Sequence, residues 1–166
     1  KPMVKIGNKP ILWHIMNIYS KFGYKDFYLA LGYKSEIIKN YFYNYKLHNS
    51  NLSINLKSGN ISSQDEKIED WNVNLIETGL NTMTGGRIKK MREFIGNETF
   101  MLTYGDGLSD ININNLLNFH KEHKKMLTVT AVRPTARFGE LNIDEEKFVT
   151  DLEEKPQMGK GLINGG

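Results

Sequence analysis

Asp106 stands between Gly105 and Gly107 in the stretch Leu102-Thr-Tyr-Gly-Asp-Gly107. A carboxylate with no side chain on either neighbour lets the backbone approach a bulky, charged ligand closely. An oxygen ligand offered in this way suits Mg²⁺, which favours one or two carboxylates together with substrate phosphates. A plain turn, with an aspartate bonding its own backbone beside glycines, accounts for these residues equally well. A second stretch, Thr82-Met-Thr-Gly-Gly-Arg-Ile-Lys-Lys90, sets paired glycines at the start of a helical pattern. Backbone N–H groups there can meet a base or a phosphate. A third, Leu152-Glu-Glu-Lys-Pro156, puts a carboxylate beside an ammonium; alone it reads more readily as an exposed surface pair than as a site.

The elements that must position these residues follow from periodicity. Pro10 opens a helical pattern with Ile11, Ile15, Ile18 and Phe22 on one stripe, and Gly23 closes it. Asp26 to Leu31 reads as a buried strand, and Ser35 is placed to cap a second helix. Leu52 to Lys57 alternates like a half-exposed strand, Ser58 to Asp70 reads as a loop, and Trp71 to Glu77 as a strand. Gly85 to Ile95 is a short basic helix, Phe100 to Thr103 a buried strand, Asn112 to His123 a helix and Met126 to Val132 a strand. Short strands at Leu141 to Ile143 and Phe148 to Leu152 follow. Strands alternating with helices imply an α/β fold with a doubly wound, mostly parallel, Rossmann-like sheet and helices on both faces. Ligands of such sheets sit beyond the carboxyl ends of the strands, where Asp106 should hang.

With 166 residues the chain is long enough for one domain with a sizeable core, spanning 1–166. Its net charge of +3 suits a phosphate-bearing ligand, and no arginine-rich face points to nucleic acid. The absence of cysteine excludes a disulfide scaffold and thiolate metal sites and fits a cytoplasmic setting. No apolar run approaches the ~20 residues that span a bilayer, so no membrane partner is expected. Asn-x-Ser/Thr triplets at Asn51, Asn60 and Asn97 read as chance in so asparagine-rich a chain. His14 is read as a satisfied core or interface histidine, and Trp71 as packing. His120 and His123, spaced i, i+3 near a helix end, are read as meeting the helix dipole. A dinucleotide enzyme would want G-x-G-x-x-G after a strand, and no such pattern occurs. A pure protein-interaction module has no reason to gather glycines beside charges at strand ends.

Taken in order, Lys1-Pro-Met-Val-Lys-Ile-Gly-Asn-Lys-Pro-Ile-Leu-Trp-His-Ile-Met16, Trp71-Asn-Val73, Thr84-Gly-Gly-Arg87, Thr103-Tyr-Gly-Asp-Gly107, Arg137-Phe-Gly139, Glu154-Lys-Pro156 and Ile163-Asn-Gly-Gly166 resemble the sugar-1-phosphate nucleotidyltransferases. Within that family the branch that uses CTP and glucose 1-phosphate is most similar. The resemblance covers essentially the whole chain. It implies in-line attack of a sugar phosphate on the α-phosphate of a nucleoside triphosphate, with Mg²⁺ as cofactor and pyrophosphate as the second product. UTP- or dTTP-using members and a non-catalytic nucleotide-binding relative are the alternatives; the latter would have lost a metal carboxylate or a phosphate lysine.

By the same resemblance, Asp106 matches the metal aspartate, Lys1 a lysine on triphosphate oxygens, and Lys155 the lysine on the sugar phosphate. Glu154 and Gly139 match positions that hold sugar hydroxyls, and Asn164 and Gly165 line the sugar pocket. Thr78, Gly85 and Gly86 fall in the base-reading segment, with Thr78 the foremost candidate acceptor for cytosine, and Gly105 borders the nucleotide beside Asp106. Residues 46–70 match a variable segment that can serve a contact between copies, so a homo-oligomer is expected. The family's glycine-rich G-G-x-G-T-R signature would lie upstream of Lys1, and its second metal aspartate downstream of Gly166. Both ends are therefore expected to be cut, leaving the central part of a longer enzyme.

Overall fold

The computed structural model describes residues 1–64, 68–134, 140–153 and 161–165. They fall into two compact units, Lys1–Leu108 and Ser109–Gly166.

The first unit begins with a tight turn in which Val4 N–H donates to the Lys1 carbonyl (2.9 Å), with Pro2 inside it. The short strands β1 (Lys5–Ile6) and β2 (Lys9–Pro10) pair antiparallel around Gly7, whose φ of +61° suits a two-residue hairpin turn. Helix α1 (Ile11–Lys21) has no side-chain cap. Its first orphan donors are taken by this N-terminal segment instead: Ile11 N–H donates to Val4 O (2.8 Å) and Leu12 N–H to Pro2 O (3.0 Å). The buried face is Leu12, Ile15 and Met16, so of the expected stripe only Ile15 is buried, with Ile11, Ile18 and Phe22 half-buried: the core side of the helix is turned toward the neighbouring row.

Strand β3 (Asp26–Leu31) pairs in parallel with β6 (Asn72–Glu77), in register from Asp26↔Asn72 to Leu31↔Glu77. β3 is not the fully buried strand expected, because its side chains alternate in exposure and only Leu31 is buried. Between the two lie helices α2 (Ser35–Tyr43) and α3 (Tyr45–Asn49) and an antiparallel hairpin of β4 (Asn51–Ile54) and β5 (Ile61–Gln64). The hairpin corrects the reading of 58–70 as loop. The Asn55 side chain accepts from Lys57 and Ser58 N–H (3.1 and 3.0 Å), and Gly59 takes φ +73°. Turn chemistry thus sets the register of a strand with no apolar alternation to announce it. Ser35 does not cap α2 with its side chain: Lys34, in the left-handed region at φ 55°, is the cap residue, and Ser35 hydrogen-bonds the Glu77 carboxylate.

Helix α4 (Thr84–Ile95) follows β6 and buries Met91. Residues 100–103 are not a strand: Phe100 and Leu102 are about half exposed (48% and 55%). An extended run becomes a strand only where a neighbour supplies the ladder, and among the described residues none does.

Trp71 packs as expected, its ring close to Trp13 and Phe27 and its indole N–H donating to Ser20 Oγ (2.9 Å). Beside it lies an open groove of about 590 Å³ whose lining includes Phe42, Tyr45, Trp71 and Glu69. Tyr45 O–H donates to Glu69 Oε2 (2.6 Å) and accepts from Trp13 Nε1 (2.8 Å) and Lys9 Nζ (3.2 Å). The buried hydroxyl of neighbouring Tyr41 has no hydrogen-bond partner among the described residues. Burial, and next the Glu69 charge, push the Tyr41 pKa up to about 12. A tyrosine whose folded pKa lies above its unfolded value contributes stability that is complete below pH 10 and lost as pH rises through about 12. Tyr41→Phe should therefore leave the neutral-pH Tm unchanged or higher, since an unbonded hydroxyl is removed. It should also flatten part of the alkaline loss of stability followed by circular dichroism. A steeper loss, or a large drop in Tm at pH 7, would count against this account.

In the second unit, helix α5 (Ile113–His123) is capped by Asn112, whose side chain accepts from Asn115 N–H (3.0 Å), and Ile113 is buried. Strand β7 (Ala131–Val132) is far shorter than the expected 126–132 run, and Met126 and Leu127 are exposed. Only the residues opposite β10 (Ile163–Asn164) gain a ladder, pairing Ile163↔Val132 and Asn164↔Ala131. β8 (Glu140–Ile143) and β9 (Val149–Glu153) form the expected terminal hairpin. His123 Nε2 and His120 Nδ1 both meet Thr128 Oγ1 (2.7 and 2.8 Å). His14 Nε2 bonds Ile6 O (3.0 Å).

Candidate functional site

Parallel pairing brings the carboxyl ends of β3 and β6 together, and the ladder continues one step past them, with Thr78 N–H donating to Leu31 O (2.9 Å). Thr78 is completely buried. Its hydroxyl donates to the same Leu31 carbonyl (2.7 Å) and accepts from Arg87 Nη1 (2.5 Å), which also reaches Leu31 O (2.9 Å). The Thr78 carbonyl accepts from Thr82 Oγ1 (2.6 Å) and Lys90 Nζ (2.8 Å). Both oxygens of Thr78 are thus engaged within the protein, and the residue anchors the loop that follows it.

Two close approaches explain why glycine stands nearby. The Arg87 guanidinium lies 2.6 Å from where a Cβ on Gly32 would be, and Thr82 Cγ2 lies 2.8 Å from the corresponding point on Gly86. Gly85, by contrast, faces open space. α4 begins here with Met83 as its cap residue, no side-chain cap and no acidic residue in its first turn. Glu77 on the same edge is held by Lys39 Nζ (2.6 Å) and Ser35, which keep its carboxyl below the usual carboxylate range.

Asp106 lies on an exposed turn. Side-chain contacts tether this segment where a ladder was expected. Tyr19 hydrogen-bonds Thr103, although burial, the larger effect, raises the Tyr19 pKa. Pro2 packs on Gly105, with Pro2 Cγ 3.2 Å from that glycine's would-be Cβ. Lys1 and Asp106 are therefore the immediate neighbours of two residues in contact, and both are exposed. Among the described residues no cluster of three or more His, Cys, Asp or Glu could hold a metal by itself. One exposed carboxylate fits Mg²⁺ shared with ligand phosphates, the hard-oxygen arrangement that this ion prefers. It does not fit a self-sufficient zinc or calcium site.

Lys1, Thr78, Gly85, Gly86, Gly105 and Asp106 all belong to the first unit, and Asn164 and Gly165 to the second. Gly165 N–H donates to Thr130 O (2.9 Å), and Val132 Cγ1 lies 2.7 Å from its would-be Cβ, so the strand closes over Val132 only because residue 165 lacks a side chain. Gly139, Glu154 and Lys155 lie outside the described residues. Sequence reasoning missed Arg87 and Lys90 as organisers of the loop. Their basic helix was visible, but Arg87 binds the carbonyl of Leu31, 56 residues away, and Lys90 binds a carbonyl that only the fold of the loop after β6 brings to it.

No helix among the described residues is long and apolar enough to cross a membrane. A family model described as nucleotidyl transferase matches residues 1–166. A glucose-1-phosphate cytidylyltransferase of Salmonella typhi is 46% identical over all of this chain and 65% of its own length. A probable glucose-1-phosphate cytidylyltransferase of Bacillus subtilis is 41% identical, again over the whole chain and 64% of its own length. The chain thus spans slightly less than two thirds of the relatives it matches. The crystal structure of HddC from Yersinia pseudotuberculosis superposes with a TM-score of 0.58 at 23% identity, covering 99% of this chain and 64% of that one, a likeness of fold. With every residue inside the family match and an α/β fold shared with a solved structure, the chain belongs to the nucleotidyl transferase family.

Proposed function

We propose that this chain carries the central chemistry of an enzyme that joins CTP and α-D-glucose 1-phosphate to give CDP-glucose and pyrophosphate. The observation that carries the reading is 46% identity across all 166 residues to a glucose-1-phosphate cytidylyltransferase, with the glycine-flanked Asp106 on an exposed turn. Such a reaction needs positioning and charge neutralisation rather than a covalent nucleophile. Asp106 would hold Mg²⁺, which when bound offsets negative charge on the α-phosphate. Lys1 neutralises triphosphate oxygens, and Gly105 lets the nucleotide approach the backbone. Lys155 steadies the attacking sugar phosphate, Glu154 and Gly139 hold sugar hydroxyls, and Asn164 and Gly165 line the sugar pocket. Gly85 and Gly86 face the nucleotide at the start of α4, and Thr78 anchors the loop before them. The β3–β6 pair, with α2 and α3 in its crossover, is the part of the expected doubly wound sheet that supports this reading. The product suits supply of nucleotide sugars for surface polysaccharide in the cytoplasm, by a homo-oligomer.

Cytosine presents an amino donor where uracil presents a carbonyl. An acceptor aimed at that position is satisfied by one base and left unpaired by the other. The Thr78 oxygens are engaged inside the protein and the Leu80 and Met83 carbonyls meet Arg87, so the acceptors proposed for the base in this loop are the carbonyls of Gly79, Asn81 and Thr82. The expected result, for the protein expressed from its native reading frame with Mg²⁺ and glucose 1-phosphate, is pyrophosphate release that favours CTP over UTP by roughly 100-fold or more in kcat/KM. Comparable values for CTP, UTP and dTTP would return the protein to the broader family. No turnover with any of CTP, UTP, dTTP, ATP or GTP would favour the non-catalytic alternative.

A further inference from the structure

We infer that Lys90 is a positioning residue that presets the loop Thr78–Met83 for base selection. It lies on α4, outside the set of residues proposed to touch substrate. Its ammonium donates to the Thr78 carbonyl (2.8 Å) and lies 3.5 Å from Thr82 Oγ1. Thr82 closes the same loop from its other end, donating to that carbonyl at 2.6 Å. Gly79 takes φ +96°, and its would-be Cβ lies 2.9 Å from Thr82 Oγ1 and 3.5 Å from Lys90 Nζ. Thr82 is thus wedged between Gly79 and Gly86, with Lys90 holding the knot shut.

The loop leaves the carboxyl end of β6, the edge at which open α/β sheets bind ligands. Two donors on one carbonyl remove that oxygen from the acceptors a ligand could find. They also fix where the next carbonyls point. Lys90 is itself exposed and touches loop backbone rather than core, so its loss loosens a local segment and not the fold.

The substrate arm of this inference rests on the cytidylyl-transfer reading; the structural arm does not. The test is Lys90→Met, with Lys90→Arg as the conservative variant. In the ligand-free protein, amide exchange at the two ends of the loop, at Thr78, whose N–H donates to Leu31 O, and at Arg87, whose N–H donates to Met83 O, should speed up by at least about tenfold while the middle of β3 changes little. In turnover, KM for CTP should rise by about tenfold, kcat should fall by less, and the CTP-over-UTP ratio should shrink by at least about fivefold. Lys90→Arg should recover most of both effects, because a guanidinium can still donate to the Thr78 carbonyl. Should Lys90→Met fail to fold, Thr82→Val, which removes the other donor, carries the same two readouts. Unchanged exchange in the loop would overturn the inference, as would proportionate losses in kcat/KM for CTP and UTP. Absence of CTP turnover in the unsubstituted protein would refute the functional reading and leave the exchange measurement to decide on Lys90.

Discussion

Asp106→Asn is expected to lower turnover by at least about 100-fold while Tm moves by no more than a surface substitution allows. The substitution keeps the shape of the side chain and removes one negative charge. Asp106 is exposed, and no described side chain pairs with it, so the fold has little to lose. The proposed reaction has a great deal to lose, since a neutral amide oxygen is a poor ligand for a hard dication. Raising Mg²⁺ should restore part of the rate, because the remaining ligands would come from the nucleotide. Measurement is by pyrophosphate release at saturating CTP, with Mg²⁺ varied. Full turnover at ordinary Mg²⁺ would reduce Asp106 to a turn residue, the plain alternative its glycine neighbours also permit.

Lys155→Met should strike the other substrate. An ammonium is a compact point charge suited to a phosphate whose oxygen must attack. Methionine keeps much of the length and removes the charge. Truncating one partner of a desolvated charge pair costs about 2–5 kcal/mol, roughly 30-fold to several-thousand-fold in kcat/KM for glucose 1-phosphate. KM for CTP should change by less than about threefold, since the lysine is assigned to the sugar phosphate and not the triphosphate. If CTP affinity alone fell, the lysine would have been given the wrong substrate.

Much of the architecture was legible because it is written in local periodicity. Leu12, Ile15 and Met16 recur at helical spacing and are buried together; Asp26 to Leu31 and Asn72 to Glu77 are recognisable strands and pair with each other. The failures share one cause. Phe100 to Thr103 and Met126 to Thr130 have strand composition, but whether a run joins a sheet depends on a partner elsewhere in the chain. The converse error occurred at Ile61 to Gln64, a polar run made into a strand by the turn around Asn55 and Gly59. At the candidate site the reach of sequence was similar. Asp106 and the paired glycines were visible as residue types at telling spacings. That Thr78 would be wholly buried, with its oxygens shared among Leu31, Thr82, Arg87 and Lys90, follows only from the parallel register of β3 and β6 together with the return of α4 over the loop.

The guanidinium of Arg87 occupies the space that a side chain on Gly32 would fill. Residues 32 and 87 therefore act as one physical unit although 55 positions separate them (87 − 32), and Gly32→Ala and Arg87→Ala should not add in Tm. Alanine at 32 would displace the guanidinium, and with it the bonds to Leu31 and Thr78. Shortening residue 87 would open a vacancy that many residues at 32 could then fill. Either change made first breaks those bonds, so the second then costs less than it would alone.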